Sequence, residues 1–172
     1  AAVANHLPFA GGLVLTAVRT SAPPAPDGSD IAVYRTVSPH YLAAVGGILT
    51  RGRFLTEEDL VSVGSGVVVN EAFVRRFFRD RDPLGAPVTV FRQAQGRAEL
   101  GTPITASIVG VIGNERLYGT AVDAPAVVYV PYTWDAWPSI SAAVRTSLPL
   151  ALVAPRLNRA LLEVEPTIPI AT

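Results

Sequence analysis

The sequence contains no cysteine, no methionine and no lysine, and only 16% of its 172 residues are charged. Without cysteine there is no thiol nucleophile, no thiolate zinc site and no disulfide. Without lysine there is no P-loop ammonium, no Schiff-base nucleophile and no anchor for pyridoxal phosphate. The 14 basic residues, all arginine, balance 14 acidic ones, so no basic stripe marks a nucleic-acid binder. Long apolar runs are missing as well. The longest, Ile104 to Gly113 and Ala124 to Pro131, are strand-length and fall far short of the roughly 20 residues of a membrane-spanning helix. The N-terminus carries neither a signal-peptide pattern nor an initiator methionine. The chain reads as a piece cut from a longer protein, or as a processed product.

What is present is a 49% hydrophobic chain punctuated by 15 prolines and 14 glycines, long enough for one large domain or two small ones with real cores. Apolar alternation predicts strands over Gly12 to Thr20 and Ile31 to Val37, joined across the Pro-rich loop Ser21 to Asp30 as a hairpin. Ser38-Pro39 reads as an N-cap and first helical residue, and Gly46-Gly47 ends the short helix that follows. Thr56, followed by Glu57, Glu58 and Asp59, predicts a second helix start. Val67 to Val69 predicts a buried strand, with Asn70 capping a helix over Glu71 to Arg79 that lines up Phe73, Val74, Phe77 and Phe78. Asp82-Pro83-Leu84-Gly85 is its expected terminator. Further strands are expected at Val88 to Arg92, Ile104 to Ile112, Ala126 to Val130 and Ile140 to Arg145. A final helix is expected near Leu150 to Glu163, kinked or delayed by Pro155, with a last short strand at Ile168 to Ala171. Strands and helices mix without regular βαβ alternation, which makes the fold class α+β.

The polar residues converge poorly on any chemistry. His40, Tyr41, Glu57, Glu58 and Asp59 are the nearest approach to a general-base cluster, since a histidine held by a carboxylate is what such catalysis needs. Their spacing is equally that of ordinary polar residues on two short helices. His6 and His40 make no metal-ligand spacing, and Glu57 to Asp59 lack the loop of a calcium hand. Gly64-Ser65-Gly66 opens onto a strand, and Gly110-Val111-Ile112-Gly113 starts no helix, so neither is a phosphate or dinucleotide cradle. The expectation is no catalytic, cofactor-binding or metal-binding residue, and no cofactor.

The order of motifs is more specific. It runs Ser38-Pro39-x-Tyr41, Arg51-Gly52-Arg53-Phe54 with Asp59, Val69-Asn70-Glu71-Ala72, Phe77-Phe78, Asp82-Pro83-Leu84-Gly85, Val109-Gly110-Val111 and Tyr129-x-Pro131-Tyr132, then Val144-Arg145 in the terminal strand and helix. This series resembles the MacB-like periplasmic core domain of FtsX-like ABC transporter permeases over nearly the whole chain. The resemblance implies a non-catalytic extracytoplasmic domain of a bacterial membrane permease, set between its first and second membrane helices. Two lobes are implied: a porter-like lobe from residues 1–37 and 139–172, with additional chain before its start in relatives, and an inserted small α/β lobe over 38–138. Implied partners are the membrane helices of the same permease, a cytoplasmic ATP-binding domain or subunit, a periplasmic adaptor or envelope protein, and a second copy as a homodimer across an unpaired sheet edge.

A reading of a different class is a free-standing binding domain for a small apolar or peptide ligand, using the aromatics Tyr118, Trp134 and Trp137. A third is an enzyme built on His40 and the neighbouring acids.

Overall fold

The computed structural model describes residues 1–8, 13–21, 30–79, 81–93, 100–115, 123–135 and 137–167. The expected strand at Ile168 to Ala171, most of the Pro-rich loop and Tyr118 lie outside the described residues.

A nine-stranded mixed sheet organises the chain. Strands β2 (Leu15–Thr20) and β3 (Ile31–Val37) form the expected hairpin, with Leu15 opposite Val33 and Ala17 opposite Ile31. The far half of β2 leaves β3 and pairs with β6 (Pro87–Gln93), Val18 opposite Val90. From β6 the sheet continues through β7 (Leu100–Ile112), β5 (Val67–Asn70) and β8 (Val127–Pro131) back to β3. Strand β2, shared between both neighbours, thus closes this path on itself. Two of the contacts are parallel, β3 with β8 and β5 with β7, and the others along this path are antiparallel.

Three-residue strands extend the sheet beyond β3: β1 (Ala2–Ala4), then β9 (Ser141–Ala143) at the edge. Ala2 faces Ala143 and Ala4 faces Ser141. Strand β1 is too short to show a period in sequence, and β4 (Leu49–Gly52), on the other rim of β7, is exposed at every position. Neither carries the apolar alternation that betrays a half-buried strand.

Alternation in the central strands splits the interior into two cores. Val67 and Val69 of β5, and Val128 and Val130 of β8, join Phe73, Phe77, Phe78 and Trp134 on one face. Val68, Val127 and Tyr129 join Val37, Tyr41, Leu42 and Leu55 on the other. A sheet covered on both sides needs apolar residues at consecutive positions, which is where the hydrophobic half of this low-charge chain goes.

The helices depart from expectation in instructive ways. Helix α1 (Tyr41–Val45) starts two residues later than Ser38-Pro39 predicts, with His40 at the cap and no side-chain cap bond. The Ser38 hydroxyl instead accepts the Val3 N–H at 3.0 Å, while the Ser38 N–H donates to the Val3 carbonyl at 2.9 Å. A long-range tie to β1 has taken the group that would have capped locally. Gly46 ends α1 as expected, at φ 73.

Helix α2 (Glu57–Val61) keeps the predicted capping box, with Asp59 Oδ2 accepting the Thr56 N–H at 2.8 Å. The helix expected over Glu71 to Arg79 is one α-turn, α3 (Glu71–Phe73), widening into a π-turn over Val74–Phe78. It stops at Arg79, whose φ of 54 is the sole positive value outside glycine among the described residues. The wider turn leaves Phe77 and Phe78, adjacent in sequence, both buried. Helix α4 (Leu150–Val164) begins on schedule with Pro155 inside it. The proline does not delay the start; it removes one amide from the ladder.

Candidate functional site

The five residues singled out from sequence do not assemble. His40 and Glu57 face each other at 4.0 Å, but both side chains are about 70% exposed (73% and 70%), and a pair this open is worth little. Tyr41 turns the other way, into the interior. Asp59 is buried in the capping box and gripped by Arg53, with Nη1–Oδ2 at 2.6 Å and Nη2–Oδ1 at 3.1 Å. Burial alone would raise the Asp59 carboxyl. Hydrogen bonds from Arg53, the Thr56 amide and Ser65, with the arginine's charge, outweigh it and hold the carboxyl at about 2. Asp59 is therefore an ionised structural anchor, not a proton carrier near neutral pH.

The aromatics behave similarly. Trp134, a ligand-binding ring only in the alternative reading, is 2% exposed in the core, and its indole N–H donates to the Asp59 carbonyl at 3.3 Å. Trp137 packs partly buried against the same core, edge-on to His6 with ring centres 6.1 Å apart.

What sequence reasoning missed is a buried polar cluster built from four separate elements. Arg35 on β3 donates to the Tyr41 hydroxyl on α1 at 2.6 Å. The hydroxyls of Tyr41 and of Tyr129 on β8 donate to Oε2 of Glu115 at 3.3 and 2.7 Å. Glu115 follows the end of β7, and its Oε2 lies 3.6 Å from Arg35 Nη1, with the two side chains 8% and 3% exposed. Burial first, and then the Glu115 charge, push both tyrosines well above their ordinary range, so both remain donors. Burial, followed by the Arg35 charge, lowers His6 nearby. All described contacts fall on Oε2; Oε1 is buried without a hydrogen-bond partner among the described residues. Alternation hinted that Arg35 shares a face with Val33 and Val37, yet nothing local links it to Glu115.

Glu115 also lines an open-sided hollow of about 380 Å³ beneath the end of α1, with Val45, Gly46, Gly47, Ile48, Gly113, Asn114 and Pro8. Among the described residues no three histidine or carboxylate side chains gather as a metal site, and no helix is long and apolar enough to cross a membrane.

The mixed sheet carries a core on each face, and Asn70, Ser38 and Asp59 tie helix starts and strands to one another. Comparison with known proteins places the domain. The chain belongs to the family of the MacB-like periplasmic core domain, whose sequence profile matches residues 3–166. This is the periplasmic domain of MacB- and FtsX-like ABC transporters, as the series of short motifs implied. None of the curated proteins matches in sequence. Among solved structures, the periplasmic region of MacB from Actinobacillus actinomycetemcomitans is similar, with 17% identity and a TM-score of 0.55. The similarity covers 94% of this chain and 66% of that one, so the chain spans about two thirds of the MacB region. The extracellular domain of the noncanonic ABC-type transporter YknZ from Gram-positive bacteria is similar at 16% identity and a TM-score of 0.54, over 91% of this chain and 76% of that one. At such identities the likeness speaks to fold.

Proposed function

We propose that this chain is a non-catalytic transmission and docking module of a bacterial ABC transporter permease, standing on the extracytoplasmic side of the membrane. ATP binding and hydrolysis in a cytoplasmic domain or subunit would move the membrane helices of the same permease. This domain would carry that movement to cargo, to an envelope or adaptor protein, or to a second copy of the permease. The observation that carries the reading is membership of the family over residues 3–166; beside it, His40 and Glu57 form an exposed pair while Asp59 closes a buried cap.

The proposal includes two lobes, residues 1–37 with 139–172 and residues 38–138. In its support, β1 and β9, drawn from the two ends of the chain, pair with each other. Strands β2 and β3 are also hydrogen-bonded to β6 and β8, so the lobes would share a sheet and transmit force stiffly.

Double electron–electron resonance on the reconstituted permease with its ATPase tests this. The cysteine-free domain makes labelling clean at Leu152→Cys and Val61→Cys, positions 53% and 84% exposed. ATP binding is expected to shift label distances between the two permease copies while the Leu152–Val61 distance within one copy stays fixed. Unchanged distances of both kinds would overturn the transmission reading.

A further inference from the structure

We propose that the exposed arginines at the end of the π-turn form a docking surface for an acidic, carboxylate-rich segment of a partner protein. Four of the 14 arginines fall between positions 75 and 81, in a chain with no net charge. Arg75, Arg79 and Arg81 are exposed, and none makes a side-chain hydrogen bond or ion pair among the described residues. Arg76 lies over the Phe77 ring, 5.6 Å from its centre. Two aspartates share the stretch. Asp80 lies outside the described residues, and Asp82 meets Arg51 of β4 at 3.7 Å. Arg51 thereby brings a fifth guanidinium to the same rim. Its neighbour Gly52 fixes the approach: a Cβ there would stand 2.9 Å from Leu84 Cδ2 in the turn that follows.

Two observations set this turn apart from ordinary surface charge. The helix widens into a π-turn over Val74–Phe78, a departure that is frequent at functional sites. Arg79 ends it at φ 54 and ψ −114, where glycine is unstrained and a residue with a Cβ is not. The turn buries Phe77 and Phe78 and leaves Arg75 and Arg79, four positions apart, in water. Arg81 is drawn back toward them by its N–H, which donates to the Phe78 carbonyl at 3.0 Å. Such a concentration of unpaired positive charge selects an anionic partner, and the planar guanidinium binds a carboxylate through two parallel hydrogen bonds. A phospholipid surface is anionic too, but it lies elsewhere in the transmission and docking reading, on which this choice rests. That reading joins the domain to its membrane helices through the chain ends, at β1 and beyond β9. Strand β4 is five strand spacings from β1 along the sheet, on the order of 24 Å. The arginines therefore face a protein. Their failure to bind one would leave transmission through another face standing, and unchanged spin-label distances would leave the binding described below standing.

Three probes test this on the ¹⁵N-labelled 172-residue chain: a short capped peptide of alternating glutamate and serine, its glutamine counterpart, and phosphatidylcholine vesicles with about one-third phosphatidylglycerol. The acidic peptide is expected to shift the amides of Arg51, Arg75, Arg79 and Arg81 with a Kd on the order of 1 mM at low salt, weakening steeply as salt is added. The glutamine peptide is expected to shift none of them. Arg75→Glu combined with Arg81→Glu, both exposed positions, is expected to abolish the response and leave the melting temperature unchanged. Arg79→Gly relieves the backbone, so it is expected to raise the urea midpoint while weakening the acidic peptide about threefold. No shifts, shifts with the glutamine peptide, or shifts as large at Arg156 and Arg159 of α4 would each overturn the proposal. So would a response undiminished in either variant, or vesicle binding that the double variant removes.

Discussion

Asp59 shows how one side chain can look catalytic in sequence and be structural in the fold. It lies third after Thr56 in an acidic run, and the same carboxylate closes a capping box and binds Arg53. Its pKa, held at about 2 against an ordinary 3.8, is depressed by folding. The stabilisation is therefore complete above the unfolded value and lost as pH falls from about 5 toward 2. The linked free energy is about 2 kcal/mol, less whatever solvent screens at the half-exposed Arg53. Urea unfolding of the wild type across that window should show this slope, and Asp59→Asn should flatten it. Gly110 gives a second residue-scale expectation. A Cβ there would stand 1.9 Å from the Arg53 carbonyl oxygen, where β4 crosses close to β7. Backbone cannot yield as a side-chain tip can, so Gly110→Ala should destabilise by about 2 kcal/mol or more, read as a lowered urea midpoint.

At the scale of elements, the junction between β5 and α3 depends on Asn70. Its Oδ1 accepts the Phe73 N–H of the helix and the Val127 N–H of β8, each at 2.9 Å, and its Nδ2 donates to the Pro125 carbonyl at 2.8 Å. One fully buried amide therefore starts a helix and pins a neighbouring strand. The cap was legible in sequence, because an asparagine between an apolar strand and an acidic first turn has the helix's first amides within reach of its side chain. The strand tie was not, because Val127 is 57 positions away. Asn70→Ala should cost about 2–3 kcal/mol, more than the roughly 1 kcal/mol of an ordinary cap. Thermal melting will distinguish the two values. The converse case is Ser38, whose cap was expected and which β1 recruited instead.

Across the whole molecule, the cluster of Arg35, Tyr41, Glu115 and Tyr129 joins β3, α1, β8 and the segment after β7 on one face of the sheet. A buried ion pair contributes little net stability over apolar replacements, yet removing one partner strands a charge. Arg35→Leu should thus destabilise by about 3–5 kcal/mol, and adding Glu115→Leu should recover much of it. A double-mutant cycle by chemical denaturation measures both. If the single variant costs no more than the double, the two charges are not coupled as the 3.6 Å separation requires.

The sequence by itself determined the local physics of this protein. Capping at Thr56 and Asn70, the left-handed stop at Gly46, the alternation of β3, the consecutive apolar residues of β5 and β8 and the α+β class all depend on residues within a few positions of one another. The same local signals, in a recurring order, carried the family. Only the tertiary structure decided where β1 and β4 pair, why Ser38 leaves its helix, and which of the polar residues meet. Tyr41 and Glu115 are 74 positions apart, and a contact across that separation exists only once the sheet has closed. The missing lysine and cysteine removed whole classes of chemistry at the start. What the fold adds is the use of the few charges that remain: Arg35, Glu115 and Asp59 are buried within it and engaged by specific partners.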